Sequence, residues 1–254
     1  MKIALFQINL FWENTTKNLD NIINKINSLS NDVNLVVLPE MFTSGFSMNA
    51  QDIAETLNGK TIKLLKETAK NKNIAITGSL AIKENNNFYN CLAFIYPDGS
   101  LKTYYKRHLF SLAGEDKIYT KGLEKVIIEY NNWKFCPLIC YDLRFPVFSR
   151  NTENYDILLY VANWPTTRIN AWDTLLKARA IENMCYTIGV NRVGEDQNNN
   201  FYNGHSQAID ALGNYVLEPQ EQEDVYYVKL NKEHLLNTRS KFGFLNDKDN
   251  FMLV

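Results

Sequence analysis

Hydrophobic positions along the chain follow two spacings: short continuous runs rich in Val and Ile, and longer amphipathic stretches. The short runs predict buried strands, and the amphipathic stretches predict helices. In the first half the predicted elements are a strand near 2–9, a helix near 15–29, a strand at 34–38, a helix near 59–72, strands near 74–82 and 89–96, and a strand that ends near Lys106. The polar segment 107–122, which contains Gly114, predicts a loop able to cover a site.

In the second half of the chain the strands come in hairpin-like pairs. The predicted elements are strands near 124–130, 133–139 and 156–162, a helix near 170–183, and strands near 185–192, 205–210 and 224–229. Strand–helix alternation followed by paired strands favours two mixed sheets with helices outside them over a single parallel sheet. We find no repeat and no Pro-, Gly- or Ser-rich linker, so the sequence predicts one α/β domain over 1–254.

Composition narrows the classes of function. Lys and Arg number 27 against 28 Asp and Glu, a formal net charge of −1, so nucleic acid binding has no electrostatic support. No run approaches the roughly 20 apolar residues that cross a bilayer, and no small-residue cleavage site follows the N-terminus. The four cysteines lack CxxC spacing and the three histidines lack metal-ligand spacing. We expect a cytoplasmic protein with reduced thiols and no metal, with neither nucleic acid nor membrane as partner.

Cys140 is the strongest candidate nucleophile. It ends the apolar strand WKFCPLIC and precedes the polar turn of YDLRFP, so its thiol is expected at an exposed elbow. The next backbone N–H, that of Tyr141, is placed to donate to an oxyanion. An arbitrary cysteine on a strand is more often a small, inert, buried residue. That interpretation suits the other three: Cys91, Cys136 and Cys185.

A nucleophilic cysteine needs a base, and histidine is the usual one. The chain has His108, His205 and His234, none of them in a recognisable protease signature. Glu40 is the best-placed carboxylate, because a proline stops the strand NLVVL and leaves Glu40 at the edge where open α/β sheets bind ligands. Lys106 closes the strand LKTYYK and would favour the thiolate if its ammonium lay beside the thiol. Taken singly, these two residues also fit a surface glutamate and a solvated basic patch.

Three segments together resemble the signature segments of the nitrilase superfamily. They are VVLPEMF at Val36–Phe42, YYKRHLF at Tyr104–Phe110 and LICYDLRFP at Leu138–Pro146, and their order and spacing are highly specific. The likeness continues in a GDSS-like Gly78-Ser79-Leu80, in VANWP at Val161–Pro165, in KARAIEN at Lys177–Asn183 and in GHSQAIDALG at Gly204–Gly213. It therefore spans nearly the whole chain.

The resemblance implies a single carbon-nitrogen hydrolase domain, a four-layer α-β-β-α sandwich of two mixed sheets that pairs into a homodimer and uses no cofactor. It also implies a Glu-Lys-Cys triad of Glu40, Lys106 and Cys140. In this mechanism Glu40 takes the thiol proton, and Lys106 and the Tyr141 N–H hold the oxyanion. Glu40 then protonates the departing ammonia and activates the water that cleaves the thioester. Glu115, in SLAGEDK, matches a second glutamate that positions Lys106.

Within the superfamily, the motifs are similar to those of bacterial omega-amidases, which remove ammonia from 2-oxoglutaramate and related dicarboxylic acid monoamides such as 2-oxosuccinamate. The expected partners are therefore a small amide and water. A free carboxylate on the substrate requires a fixed cation, and Arg168, just after the NWP turn, is the candidate. Asn163 and Trp164 are expected to line the pocket. Arg179 and Glu182, three apart on one helix, are better interpreted as a structural ion pair.

Other functions stay open on the sequence alone. Hydrolysis of N-carbamoyl amines uses the same triad and differs in pocket residues that sequence locates poorly. Nitrile hydrolysis uses the triad too, although nitrilases are generally longer at the C-terminus. A non-catalytic binding or scaffold protein that retains the fold is opposed by the presence of all three catalytic residue types in intact motifs.

Overall fold

The computed structural model describes residues 1–252, and its strands and helices follow one another in the order that the hydrophobic pattern predicts. The strands are β1 (Lys2–Gln7), β2 (Leu35–Val37), β3 (Ala75–Glu84), β4 (Asn87–Ile95), β5 (Leu101–Tyr105), β6 (Ile128–Tyr130), β7 (Trp133–Ile139), β8 (Ile157–Ala162), β9 (Tyr186–Asn191), β10 (Val193–Glu195), β11 (Phe201–Asn203), β12 (Ser206–Ile209), β13 (Tyr215–Gln220) and β14 (Asp224–Lys229). The α-helices are α1 (Thr15–Asn27), α2 (Ala50–Ile53), α3 (Lys60–Lys72), α4 (Glu115–Ile118), α5 (Pro146–Ser149), α6 (Ile169–Asn183) and α7 (Lys232–Phe242). Short 3-10 turns cover Ser111–Ala113, Cys140–Arg144, Thr166–Arg168 and Phe244–Asp247.

Two six-stranded sheets form the centre of the molecule. The first has the order β14-β1-β2-β3-β4-β5, and the second has the order β13-β12-β9-β8-β7-β6. In the first sheet β1, β2 and β3 are parallel, and in the second β7, β8 and β9 are parallel; their outer neighbours run antiparallel. Both sheets are therefore mixed, which confirms the predicted fold class.

Alternate residues of the central strands face two different layers, as the two-residue period of a strand requires. In β1, Ile3 and Leu5 belong to the core between the two sheets. Ala4 and Phe6 belong to a separate core that includes Ile22 of α1 and residues of α3. Both faces of the strand are buried, which explains why it reads as a continuous apolar run.

Helix α6 covers the outer face of the second sheet. Trp172 and Leu176 on this helix are fully buried against β9. A Cβ atom at Gly189 would lie 2.5 Å from Leu176 Cδ1 and 2.6 Å from Trp172 Cζ2, so only glycine allows the helix to approach this closely. With α1 and α3 on the first sheet, the layers run α-β-β-α.

Several elements differ from the sequence prediction. The strand expected near 124–130 pairs only at 128–130, and the loop 107–122 contains a 3-10 turn and the short helix α4. The pattern also misses α2, α5, β10, β11, β13 and α7. These elements are short or half-exposed, and α7 buries only Leu235 and Thr238, so they lack the periodic burial from which an element is predicted.

The strands end where the candidate residues lie. Glu40 follows β2, Lys106 follows β5, and Cys140 begins the 3-10 turn directly after β7. Asn163 follows β8, the parallel neighbour of β7. Among residues 1–252, no helix is long and apolar enough to span a membrane.

Candidate active site

One cavity of about 620 Å³ collects the candidate nucleophile, base and cation. Glu40, Lys106 and Cys140 all line it. The Glu40 and Lys106 side chains are almost fully buried, whereas Cys140 is only half-buried and is the one thiol among the four cysteines with access to the cavity. The fold thus brings together three residues that lie 66 and 34 positions apart along the chain.

Cys140 sits on a strained backbone elbow. Its φ of +44° lies in the left-handed region, which a residue with a Cβ adopts only when its surroundings hold it there. Asp142 provides that support, because its buried carboxylate accepts hydrogen bonds from the Ile139 N–H at 2.9 Å and the Tyr104 hydroxyl at 2.7 Å. It also accepts the His108 N–H at 2.9 Å. Asp142 therefore ties the cysteine elbow to the segment that carries Lys106.

The Tyr141 N–H lies in the first turn of the 3-10 helix that starts at Cys140. N–H groups in the first turn of a helix have no partner inside that helix. This group and the half-buried Cys140 Sγ are adjacent in the chain, so an oxyanion formed on an acyl group attached to sulfur would lie close to the N–H.

Glu40 lies at the start of an equally constrained turn. The next residue, Met41, has a φ of +43°, and its N–H donates to the Ser79 hydroxyl at 3.0 Å. Asn163 fixes the glutamate from the other sheet, since its N–H donates to Glu40 Oε2 at 2.9 Å and its Nδ2 donates to the Glu40 carbonyl at 2.6 Å. The carboxylate is held from both sheets and has little freedom to rotate.

Lys106 is held between two carboxylates. Its Nζ lies 2.9 Å from Glu40 Oε1 and 2.9 Å from Glu115 Oε2. Glu115 also accepts the Phe110 N–H at 2.6 Å, which fixes the start of α4 over the cation. The Phe46 ring lies 5.1 Å from Nζ and covers another side of the ammonium. Glu115, which the sequence predicts to position Lys106, is therefore in direct contact with it.

The protonation states follow from burial and from these neighbours. Burial disfavours the charged form of Lys106, but Glu115 and Glu40 outweigh burial and raise the pKa of the ammonium. Burial raises the pKa of Glu115, against the opposing effect of Lys106. Burial, and then the charge of Glu40, raise the pKa of the Cys140 thiol well above its usual range, although Lys106 opposes them. The resting thiol is protonated, and thiolate formation needs a nearby proton acceptor.

The remaining predicted residues are placed as follows. Tyr141, Asn163, Trp164 and Arg168 line the cavity, and Glu115 lies behind Lys106 rather than on the cavity wall. Arg179 Nη1 lies 2.9 Å from Glu182 Oε1, the ion pair expected on the helix. Within residues 1–252, no group of three or more His, Cys, Asp or Glu side chains could hold a metal ion.

Two residues of the site were not singled out from the sequence as functional. Asn90, on β4, donates from Nδ2 to both Glu40 and Glu115. Arg144, like Arg168, lines the cavity. Asn90 had one available signal, a single amide in the buried, otherwise apolar part of β4. Arg144 lies in the same segment as Cys140, and a second fixed cation could have been sought there.

The two arginines on the cavity wall carry no internal counter-ion. Within residues 1–252, neither the Arg144 nor the Arg168 guanidinium makes an ion pair or a hydrogen bond to another side chain or carbonyl. Arg144 Cζ lies 5.0 Å from the centre of the Trp164 ring, and Arg168 Cζ lies 5.3 Å from the centre of the Phe110 ring. Stacking orients both guanidiniums and leaves their N–H donors free for an anion.

A family model for carbon-nitrogen hydrolases matches residues 2–239 of the chain. Over its full length the chain is 40% identical to omega-amidase YafV of Yersinia enterocolitica, of which 99% is covered. It is 31% identical to 2-oxoglutaramate amidase of Bacillus subtilis, with 96% of each chain covered. These relatives are amidases.

Solved structures show the same fold. The TM-score is 0.97 against a CN-hydrolase superfamily protein of Xanthomonas campestris with an arsenic adduct in its active site, at 41% identity with 100% and 99% of the two chains covered. Against Nit3 of Saccharomyces cerevisiae, a member of branch 10 of the nitrilase superfamily, the TM-score is 0.87 at 26% identity, with 95% and 94% covered.

Proposed function

The chain belongs to the carbon-nitrogen hydrolase family, and on this premise we propose that it is an omega-amidase that removes ammonia from 2-oxoglutaramate or 2-oxosuccinamate. The chain is an amidase of the nitrilase superfamily, as the relatives that match its whole length are. The substrate and the role of each residue are the proposal. The substrate assignment depends on one observation: Arg144 and Arg168, which have no counter-ions, line the same cavity as the Cys140 thiol.

The residues divide the reaction as follows. Glu40 takes the proton of the Cys140 thiol, and sulfur attacks the amide carbon. Lys106 and the Tyr141 N–H stabilise the resulting oxyanion. When it collapses, the C–N bond breaks, and Glu40 returns its proton to the departing ammonia. Glu40 then activates a water molecule that cleaves the thioester and regenerates the thiol.

Geometry supports these assignments. Glu40 lines the cavity together with the thiol and contacts Lys106, which keeps its positive charge because two carboxylates contact it. Glu115 positions Lys106 from behind the wall. A thiol whose pKa is raised suits general-base activation by a neighbouring carboxylate, since the proton moves to a group already within the buried site.

The carboxylate of the substrate is assigned to Arg168, with Arg144 as a second donor. Both guanidiniums stack on aromatic rings and line the cavity that holds Cys140. A buried carboxylate needs charge-assisted donors, and the Arg fork matches a carboxylate in two-point geometry. Asn163 and Trp164 complete the wall near the thiol. A neutral amide would leave both cations without a partner.

The substrate experiment measures ammonia release from 2-oxoglutaramate beside glutamine, an N-carbamoyl amine and a simple nitrile, with Cys140→Ala as the blank. We expect strong preference for the 2-oxo amide, because it joins a terminal amide to a carboxylate without an ammonium group. Activity confined to the carbamoyl amine or the nitrile would be consistent with the proposed triad but would refute the proposed substrate. No activity on any of the four would favour a non-catalytic scaffold.

Arg168→Ala is expected to raise KM for carboxylate-bearing amides by about 10–100-fold, since a charge-assisted hydrogen bond contributes about 1.5–3 kcal/mol. KM for a neutral amide of the same length should change little. Arg107→Ala is the matched control, because Arg107 also lies over an aromatic ring, at 5.9 Å from the Phe148 centre, but outside the cavity. Equal losses on charged and neutral amides would refute the assignment.

Three further parts of the proposal rest on the sequence pattern and on the resemblance to the family. They are a single hydrolase domain over 1–254, a homodimer, and a location in the cytoplasm without a resident cofactor. Exposed apolar side chains on and beside α6, among them Ile181, Leu212 and Tyr215, offer a surface for the second subunit.

A further inference from the structure

Asn90 is a fully buried polar residue in the middle of an apolar strand. It lies on β4 with its side chain under the catalytic carboxylates, and it does not line the cavity. Its Nδ2 donates to Glu40 Oε1 at 2.8 Å and to Glu115 Oε1 at 3.1 Å. The main-chain carbonyl of Asn90 accepts a hydrogen bond from the main-chain N–H of Lys106 at 3.0 Å. Asn90 therefore contacts Glu40, Glu115 and Lys106 and has no direct access to a substrate.

These contacts close a ring. Lys106 bonds Glu40 and Glu115 from one side, and the Asn90 amide bonds the same two carboxylates from the other. All four side chains are at most 1% exposed. Each carboxylate thus has a charged donor and a neutral donor, and the two carboxylates keep a fixed separation.

The orientation of the amide indicates what it is for. Asn90 Oδ1 is buried and has no hydrogen-bond partner among the described residues. An unsatisfied buried acceptor costs free energy. In this orientation that cost is offset because both N–H donors of the amide point at the carboxylates. The reverse orientation would place an oxygen against two anions. The position therefore serves donation rather than packing alone.

The charges explain why a neutral donor is needed. The charges of Lys106, Glu115 and the Cys140 thiol act on one another and on Glu40, Tyr119 feels the same charges, and the ammonium is the single cation among these groups. Two buried carboxylates that share one cation compete for protons, and the pKa of Glu115 is already raised. N–H donors favour the ionised form of a carboxylate without adding a second charge that would lower the pKa of the thiol or attract the base away from it.

We propose that Asn90 is a positioning residue for the amidase reaction, which bridges Glu40 and Glu115 so that Glu40 stays aimed at Cys140 while Glu115 holds Lys106. This inference rests on the proposed role of Glu40 as the base. It extends the site beyond the triad to a residue 50 positions away from Glu40 in the chain.

The test compares Asn90→Ala and Asn90→Asp with the charge-matched control Asn87→Asp, which alters the exposed start of the same strand. We expect kcat/KM to fall by about 10²-fold in both Asn90 variants, the lower end of what a positioned base contributes. The acid limb of the kcat/KM pH profile should move to higher pH, more in Asn90→Asp because a third carboxylate competes for the proton. KM should change little, since Asn90 does not touch the cavity. The control should match the wild type.

An acid limb at the wild-type pH in both variants would overturn the inference, even if kcat fell, because loss of packing alone does not move that limb. If Asn90→Asp does not fold, the pH of the acid limb in Asn90→Ala alone tests the inference. A failure of the proposed function is separate, since it would appear as equal activity in Cys140→Ala and the wild type.

Discussion

Replacing Cys140 by alanine is expected to reduce ammonia release by at least about 10⁴-fold, the scale of losses when a covalent nucleophile is removed. Without sulfur no thioester can form, and Glu40 would have to direct water onto an amide, which is a poor electrophile with a poor leaving group. The fold should persist, because the side chain is half-buried and the elbow is held by Asp142 rather than by the thiol. The measurement is single-turnover and steady-state ammonia release.

Cys136→Ala is the matched control, since Cys136 lies on β7, the strand that ends just before Cys140, and is fully buried. It should keep activity within about tenfold and lose only packing. Iodoacetamide should label one thiol quickly in the wild type and none quickly in Cys140→Ala. Because the pKa of the Cys140 thiol is raised, the labelling rate should still be rising with pH above the usual range of a free thiol. Residual activity in Cys140→Ala equal to that of Cys136→Ala would exclude a cysteine nucleophile.

The candidate triad was predictable because each member lies at or just beyond the end of a strand that the sequence predicts. Pro39 stops one strand before Glu40, and the polar turn after Cys140 marks the end of another. Parallel strands place such ends at one edge of a sheet. The resemblance of the signature segments to a known family added that the two sheets pack together. The spacing of hydrophobic residues alone does not predict that packing.

Asn90 and Arg144 could not be assigned in the same way. The function of Asn90 depends on hydrogen bonds to residues 50 and 25 positions away, and no local pattern encodes that distance. Arg144 was visible in the motif, but its lack of a counter-ion is a property of the folded surface. The hairpin of β10 and β11, which brings Asp196 and Tyr202 to the cavity, was missed because both strands are three residues long.

The site has two parts with different physical requirements. The buried ring of Glu40, Asn90, Lys106 and Glu115 sets charge and direction, and it has almost no contact with water. The open wall, with Arg144 and Arg168, contacts what enters the cavity. Substitutions in the wall should therefore alter KM, whereas substitutions in the ring should alter kcat and the stability of the fold together.

Replacing Lys106 by methionine is expected to lower both kcat and the stability of the fold, and more strongly than any other substitution in the ring. The change removes the cation between Glu40 and Glu115 and keeps a side chain of similar length, so two buried carboxylates lose their common partner. Breaking a buried ion pair by removing one member costs about 3–5 kcal/mol of unfolding free energy. Loss of an oxyanion donor lowers kcat by a further 10²–10³-fold, roughly. Denaturant unfolding and ammonia release measure the two effects.

The double variant Lys106→Met with Glu115→Gln separates charge from packing, because it removes one of the two unpaired carboxylates. It should recover part of the lost stability and none of the activity. The deficit of the single variant should also depend on pH. A carboxyl whose folded pKa lies above its unfolded value, as that of Glu115 does, favours folding when protonated, so its contribution is lost as pH rises through the folded pKa. Without Lys106 to oppose burial, this loss deepens, and the deficit relative to the wild type should grow from acid to neutral pH. A deficit that is constant with pH, or a double variant no more stable than the single one, would mean that Lys106 stabilises the fold by packing rather than by neutralising the carboxylates.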